Sequence, residues 1–162
     1  MAQVELVHVT KRFGKVTAVN DLNLKIEEGE CFSMLGPSGC GKTTTLRMLA
    51  GFEDLDEGEV IVGDKIYSSR AKKIYIPPNK RNFAMVFQAF AVWPHMNVYE
   101  NVAFPLKYRR LPKAEIKERV DKALLHTGLT KVKESYPNEL SGGQQQRIAL
   151  ARAIALNPTL ML

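Results

Sequence analysis

No apolar run in this chain of 162 residues approaches the roughly 18 to 20 residues that a membrane-spanning helix needs. Nothing at the start reads as a signal peptide: Met1 to Thr10 alternates polar and apolar residues, as a strand does. Cysteine is scarce. Only Cys31 and Cys40 are present, with no pairing pattern, which excludes a disulfide scaffold and fits a reducing cytosol. Cys31 lies in an apolar run and is expected in the core. No RNA-binding or DNA-binding motif is present, and no heptad repeat fills the stretch between Gln88 and Leu140.

What is there begins with 45% apolar residues, enough for one core, read here as one domain split into two lobes. The net charge is +6. The densest basic region is Lys65, Arg70, Lys72, Lys73, Lys80 and Arg81, a solvated hairpin loop or a surface for lipid headgroups. Val4 to Val9, Val16 to Ile26 and Glu30 to Leu35 read as strands. Glu59 to Val62 and Lys65 to Tyr67 flank Gly63-Asp64 as a hairpin, and Phe83 to Phe87 reads as a short buried strand. Later, Lys113 to His126 places Ile116, Val120 and Leu124 on one helical face, with Pro112 before it and Gly128 after it.

Residues Gly36, Pro37, Ser38, Gly39, Cys40, Gly41, Lys42 and Thr43 match the pattern G-x-x-x-x-G-K-[ST] (Walker A). The apolar run Glu30–Leu35 precedes the loop, and a helical run, Thr44 to Ala50 closed by Gly51, follows it. Glycines let successive N–H groups turn toward an anion, and the helix start adds its positive dipole end. The pattern predicts that Lys42 reaches the β- and γ-phosphates of a nucleotide and that the Thr43 hydroxyl holds Mg2+, with Thr44 next to it.

A second candidate lies at Leu140-Ser141-Gly142-Gly143-Gln144, before the amphipathic run Gln145 to Leu156. Ser141 and Gln144 form a capping-box pattern. The stretch is either a well-capped helix start or a second anion site.

Both motifs in this order resemble the ATP-binding cassette ATPases, a likeness that runs from end to end of the chain. It is strongest to the ATPase subunits of sugar, polyamine and ferric-iron importers. The resemblance implies an α/β fold: a P-loop core with an antiparallel β lobe in residues 1–90, a helical lobe in 91–157, and the start of the Walker B strand in 158–162. It implies ATP and Mg2+ as cofactors. Phe13 falls at the aromatic that stacks on adenine, although a core strand aromatic would look the same. Gln88 falls at the glutamine that contacts Mg2+ and serves catalysis with Lys42. Ser141, Gly142, Gly143 and Gln144 would act on the nucleotide of a second, head-to-tail ATPase subunit. Ala89 to Pro105 would receive a membrane subunit, with coupling through residues 88–101. The chain would then work in the cytoplasm, peripheral on the inner face of the membrane, without nucleic acid as partner.

In the family, Leu160-Met161-Leu162 would lead into an Asp that helps hold Mg2+ and a Glu that polarises the attacking water. Neither is in this chain, nor is the later switch histidine, since His8, His95 and His126 all precede Ser141. The expectation is a truncated product whose core lacks its C-terminal part. It should bind ATP weakly and hydrolyse it poorly, expose apolar surface, and aggregate readily. Two alternatives are a non-hydrolysing nucleotide-binding fragment and a soluble cassette ATPase acting on DNA or the ribosome; the second would call for coiled-coil insertions or tandem cassettes.

Overall fold

The computed structural model describes residues 2–162, in two compact units that divide after Phe83. The first unit is built on one antiparallel sheet. Its strands are β1 (Val4–Phe13), β2 (Val16–Ile26), β3 (Glu57–Val62), β4 (Lys65–Ser69) and β5 (Ile74–Tyr75), in the order β2-β1-β3-β4-β5. Along β1, Val4 and Leu6 point inward. His8 takes a left-handed φ of 50°, the register shifts, and Val9 becomes the next buried residue. The β3–β4 hairpin turns at Gly63-Asp64, as its sequence predicts. Helix α1 (Lys42–Ala50) adds Met48 and Leu49 to this unit's core.

The second unit is helical. Helices α2 (Val98–Tyr108), α3 (Lys113–His126) and α4 (Gly142–Ala155) pack on one another. Their shared core holds Val102, Leu106, Val120, Leu124 and Ile148, with Ala151 and Ala155 letting α4 approach closely. Asn97 starts α2 with a full capping box, its side chain accepting from the Glu100 amide while Glu100 accepts from the Asn97 amide. Pro105 is tolerated in the last turn of α2.

Three expectations fail. Residues 30–35 form no strand and are largely exposed, with Leu35 at 93% and Phe32 at 43%. A strand is held by its neighbour, and no ladder among the described residues reaches this run. Cys31 is accordingly exposed and not in the core. The strand expected over Phe83–Phe87 shrinks to β6 (Phe83–Ala84), whose partner is β7 (Leu160–Met161).

Candidate nucleotide site

The Gly36–Thr43 loop runs into α1 without a side-chain cap. Gly41 occupies the cap position, and the first turn contains no acidic residue. The amides of Lys42, Thr43 and Thr44 therefore begin a helix with its positive end unneutralised. Two glycines are sterically required. Gly36 has φ 155°, and a Cβ there would lie 2.7 Å from the Cys40 Sγ. Gly41 has φ 91°, and a Cβ would lie 2.5 Å from the Ala18 carbonyl oxygen. Pro37, Ser38, Gly39 and Cys40 are exposed along the loop.

Lys42 folds back across the loop. Its Nζ donates to the carbonyl oxygens of Gly36 and Pro37, each at 2.7 Å, and approaches the Cys40 Sγ at 3.4 Å. A cavity of about 490 Å3 opens beside it, lined by Gly41, Lys42 and Thr45 and by the apolar Val19, Phe32 and Leu35. Phe13 sits at the end of β1 next to the β1–β2 turn, half exposed at 47%, with the Lys11 ammonium 5.2 Å from its ring centre. It is not a core aromatic.

The far end of α1 is held by a residue that reads differently in sequence. Arg81 belongs to the basic region by composition, yet it is only 3% exposed. Its guanidinium donates to the carbonyls of Met48 and Leu49 in the last turn of α1, to those of Ile76 and Tyr67, and to the Ser68 hydroxyl. Burial pulls its pKa below the ordinary guanidinium value, and the nearby Tyr75 and Tyr67 oppose that shift. The other cations of the region are dispersed: Lys72 pairs with Glu59 at 2.9 Å, and Lys65 lies over the Tyr67 ring. The surface for lipid headgroups loses its buried member.

In the second unit, Ser141 caps α4. Its hydroxyl accepts from the Gln144 amide, and Gln144 accepts from the Ser141 amide, at 3.3 and 2.9 Å. The Gln145 side chain donates to the Pro137 and Leu140 carbonyls and fixes the approach to the helix. Gly142 and Gly143 have no positive φ, and a Cβ on either would meet nothing within 4 Å. Inside a helix, glycine costs up to about 1 kcal/mol relative to alanine. Among the described residues, nothing requires glycine at these two positions. Gln88 is exposed on the irregular segment after β6. Phe13 and the loop thus belong to the first unit, and Gln88 and Ser141–Gln144 to the second.

A family model described as ABC transporter matches residues 19–162. The chain belongs to the ABC transporter family. Across its full length it is 52% identical to the trehalose/maltose import ATP-binding protein MalK of Thermococcus litoralis and covers 44% of that protein. It is 54% identical, over 98% of its length, to the spermidine/putrescine import ATP-binding protein PotA of Rubrobacter xylanophilus, of which it covers 41%. Among solved structures, cbiO1 from Clostridium perfringens, part of the ABC transporter complex cbiONQ, superposes with a TM-score of 0.86. That match has 27% identity and covers 98% of this chain and 63% of the other. The ABC chain described here therefore spans less than half the length of the curated relatives it matches. The mixed α/β fold with an antiparallel sheet and a helical unit is the fold of that ABC structure.

Proposed function

We propose that these residues form the nucleotide-binding part of an ATPase subunit that powers solute import. The carrying observation is the Gly36–Thr43 loop: an uncapped helix start, no carboxylate in the first turn, and a lysine bonded only to neutral carbonyls and a thiol. Such a site suits a polyphosphate. Lys42 would bind the terminal phosphates, the loop amides would hold the others, and Phe13 would cover the adenine. Among the described residues, no group of three or more His, Cys, Asp or Glu could hold a metal. By the family resemblance, Mg2+ would be held by the Thr43 hydroxyl, Gln88 and the phosphates themselves. When bound there it would neutralise charge on the transferring phosphoryl group.

Ser141, Gly142, Gly143 and Gln144 would receive the phosphates bound to a second, head-to-tail subunit, and the open space at both glycines is what such an approach needs. Residues 88–101 would meet the membrane subunits and place the protein on the inner face of the membrane. No described helix is long and apolar enough to cross a membrane by itself. The names of the relatives, import ATP-binding proteins for sugars and polyamines, support import as the direction.

Equilibrium binding of MgATP tests the reading. Lys42→Ala should weaken binding at least about 100-fold, the loss of a charge-assisted contact in a preformed site. Ser141→Arg should leave binding intact and block nucleotide-dependent pairing of subunits. Equal loss of binding in both variants would sink the role of Ser141 on a partner's nucleotide.

A further inference from the structure

Three turns along α4 from Ser141, Arg152 reaches the chain between Phe90 and Asn97. Its Nη1 donates to the Ala91 carbonyl at 2.8 Å, and its Nη2 donates to the Asn101 Oδ1 at 3.0 Å. The guanidinium lies 4.1 Å from the centre of the Trp93 ring. Its Nε is buried and has no partner. None of these contacts involves a carboxylate. Burial lowers the Arg152 pKa to about 10, so the charge persists at neutral pH.

The acceptors are held as firmly as the donor. Asn101 is fully buried, and its amide is saturated: Nδ2 donates to the Trp93, Met96 and Asn97 carbonyls, while Oδ1 accepts from the Trp93 amide as well as from Arg152. Flipping that amide would set donors against donors. Ala91 has a φ of 48°, a left-handed conformation that a residue with a Cβ seldom adopts, and its carbonyl is the one that Arg152 takes.

A surface ion pair tolerates sliding, because two flexible charges in water follow each other. A guanidinium held by one carbonyl, one amide oxygen and one ring face does not. If segment 91–97 shifts, this partly buried cation loses the Ala91 carbonyl and the Trp93 ring face together, and Asn101, its remaining acceptor on α2, loses its own bonds to Trp93 and Met96. The segment and α4 consequently share one joint arrangement.

We propose that Arg152 is a positioning residue that makes segment 91–97 and helix α4 move as one piece, so that a partner seated on residues 88–101 sets the placement of Ser141–Gln144. The link to a partner rests on the function proposed above; the mechanical tie itself does not, and it can be tested without nucleotide.

The test is residue-resolved hydrogen exchange on the 162-residue chain, using Trp93→Leu to loosen the segment and Arg152→Lys to cut the tie while keeping the charge. With Arg152 present, Trp93→Leu should speed exchange roughly tenfold, both at amides 91–97 and at Gln144 to Ile148, a mid-range coupling between distant sites. In the Arg152→Lys background the same change should speed exchange only at 91–97. Amides of β1 and β3 serve as the control for global unfolding, and if they also respond, the milder Trp93→Phe replaces Trp93→Leu. Indifference of Gln144 to Ile148 in both backgrounds overturns the proposal. So does an equal response in both, since the tie would then run through other contacts. Failure of the proposed function would show separately, as a chain that binds no MgATP.

Discussion

Arg81 carries a positive charge into a place where its partners are four carbonyls and a hydroxyl. Two of those carbonyls, Met48 and Leu49, belong to the negative end of the α1 dipole, where a cation is favoured. Removing the side chain would leave buried acceptors unmet and a void beside Gly51. Arg81→Ala should therefore destabilise the first unit by about 3 kcal/mol, read by urea denaturation followed through circular dichroism. A change below about 0.5 kcal/mol, the scale of an ordinary surface substitution, would show that the cation is not structural. Residue counting could not reveal this role. In sequence Arg81 is one more basic residue near Lys80, and its burial depends on strands β4 and β5 meeting the end of α1. Lys42 was legible because a motif fixes its neighbours on both sides. Cys31 was not, because its burial required a strand that does not form.

Helix α4 shows an element whose ends and interior answer to different demands. Ser141 and Gln144 cap it by a pattern visible in sequence, and its alanines let it pack in the helical core. The glycine pair answers to neither. Gly142→Ala and Gly143→Ala should each stabilise the chain by up to about 1 kcal/mol, a rise of roughly 2–4 °C in midpoint for a protein of this size. The same changes should weaken nucleotide-dependent pairing, measured by sedimentation with MgATP. Loss of stability in both variants would mean that the space beyond them is not open. Helix α3 was legible to the residue, since Pro112, Gly128 and the apolar spacing all agree with Lys113–His126. Helix α2 was less so: Pro105 argues against a helix, although Asn97 and Glu100 already spell its start. The run Glu30–Leu35 is the opposite case. Its apolar character is plain in sequence, but a strand is a property of a pair, and composition says nothing of the partner.

At the scale of the molecule, each unit has its own buried apolar residues, and the expected α/β fold with a β lobe and a helical lobe is the fold observed. What the whole molecule also carries is the exposed run around Leu35, next to the loop that would bind nucleotide. An apolar surface of this kind drives association. The 162-residue chain should self-associate with rising concentration, and Leu35→Lys should suppress this in sedimentation velocity without disturbing circular dichroism; a wild-type chain that stays monomeric would contradict it. The folded-back Lys42 gives the adjoining loop a different character. Its ammonium already has a seat, on the carbonyls of Gly36 and Pro37. An incoming ligand thus performs an exchange, as on an ion-exchange resin: the lysine leaves internal dipoles for external charge. A singly charged anion offers little inducement to make that trade, while a polyphosphate offers several charges at once. Selectivity for highly charged ligands would then arise from the occupied state of the loop, before any contact to a base or sugar is made.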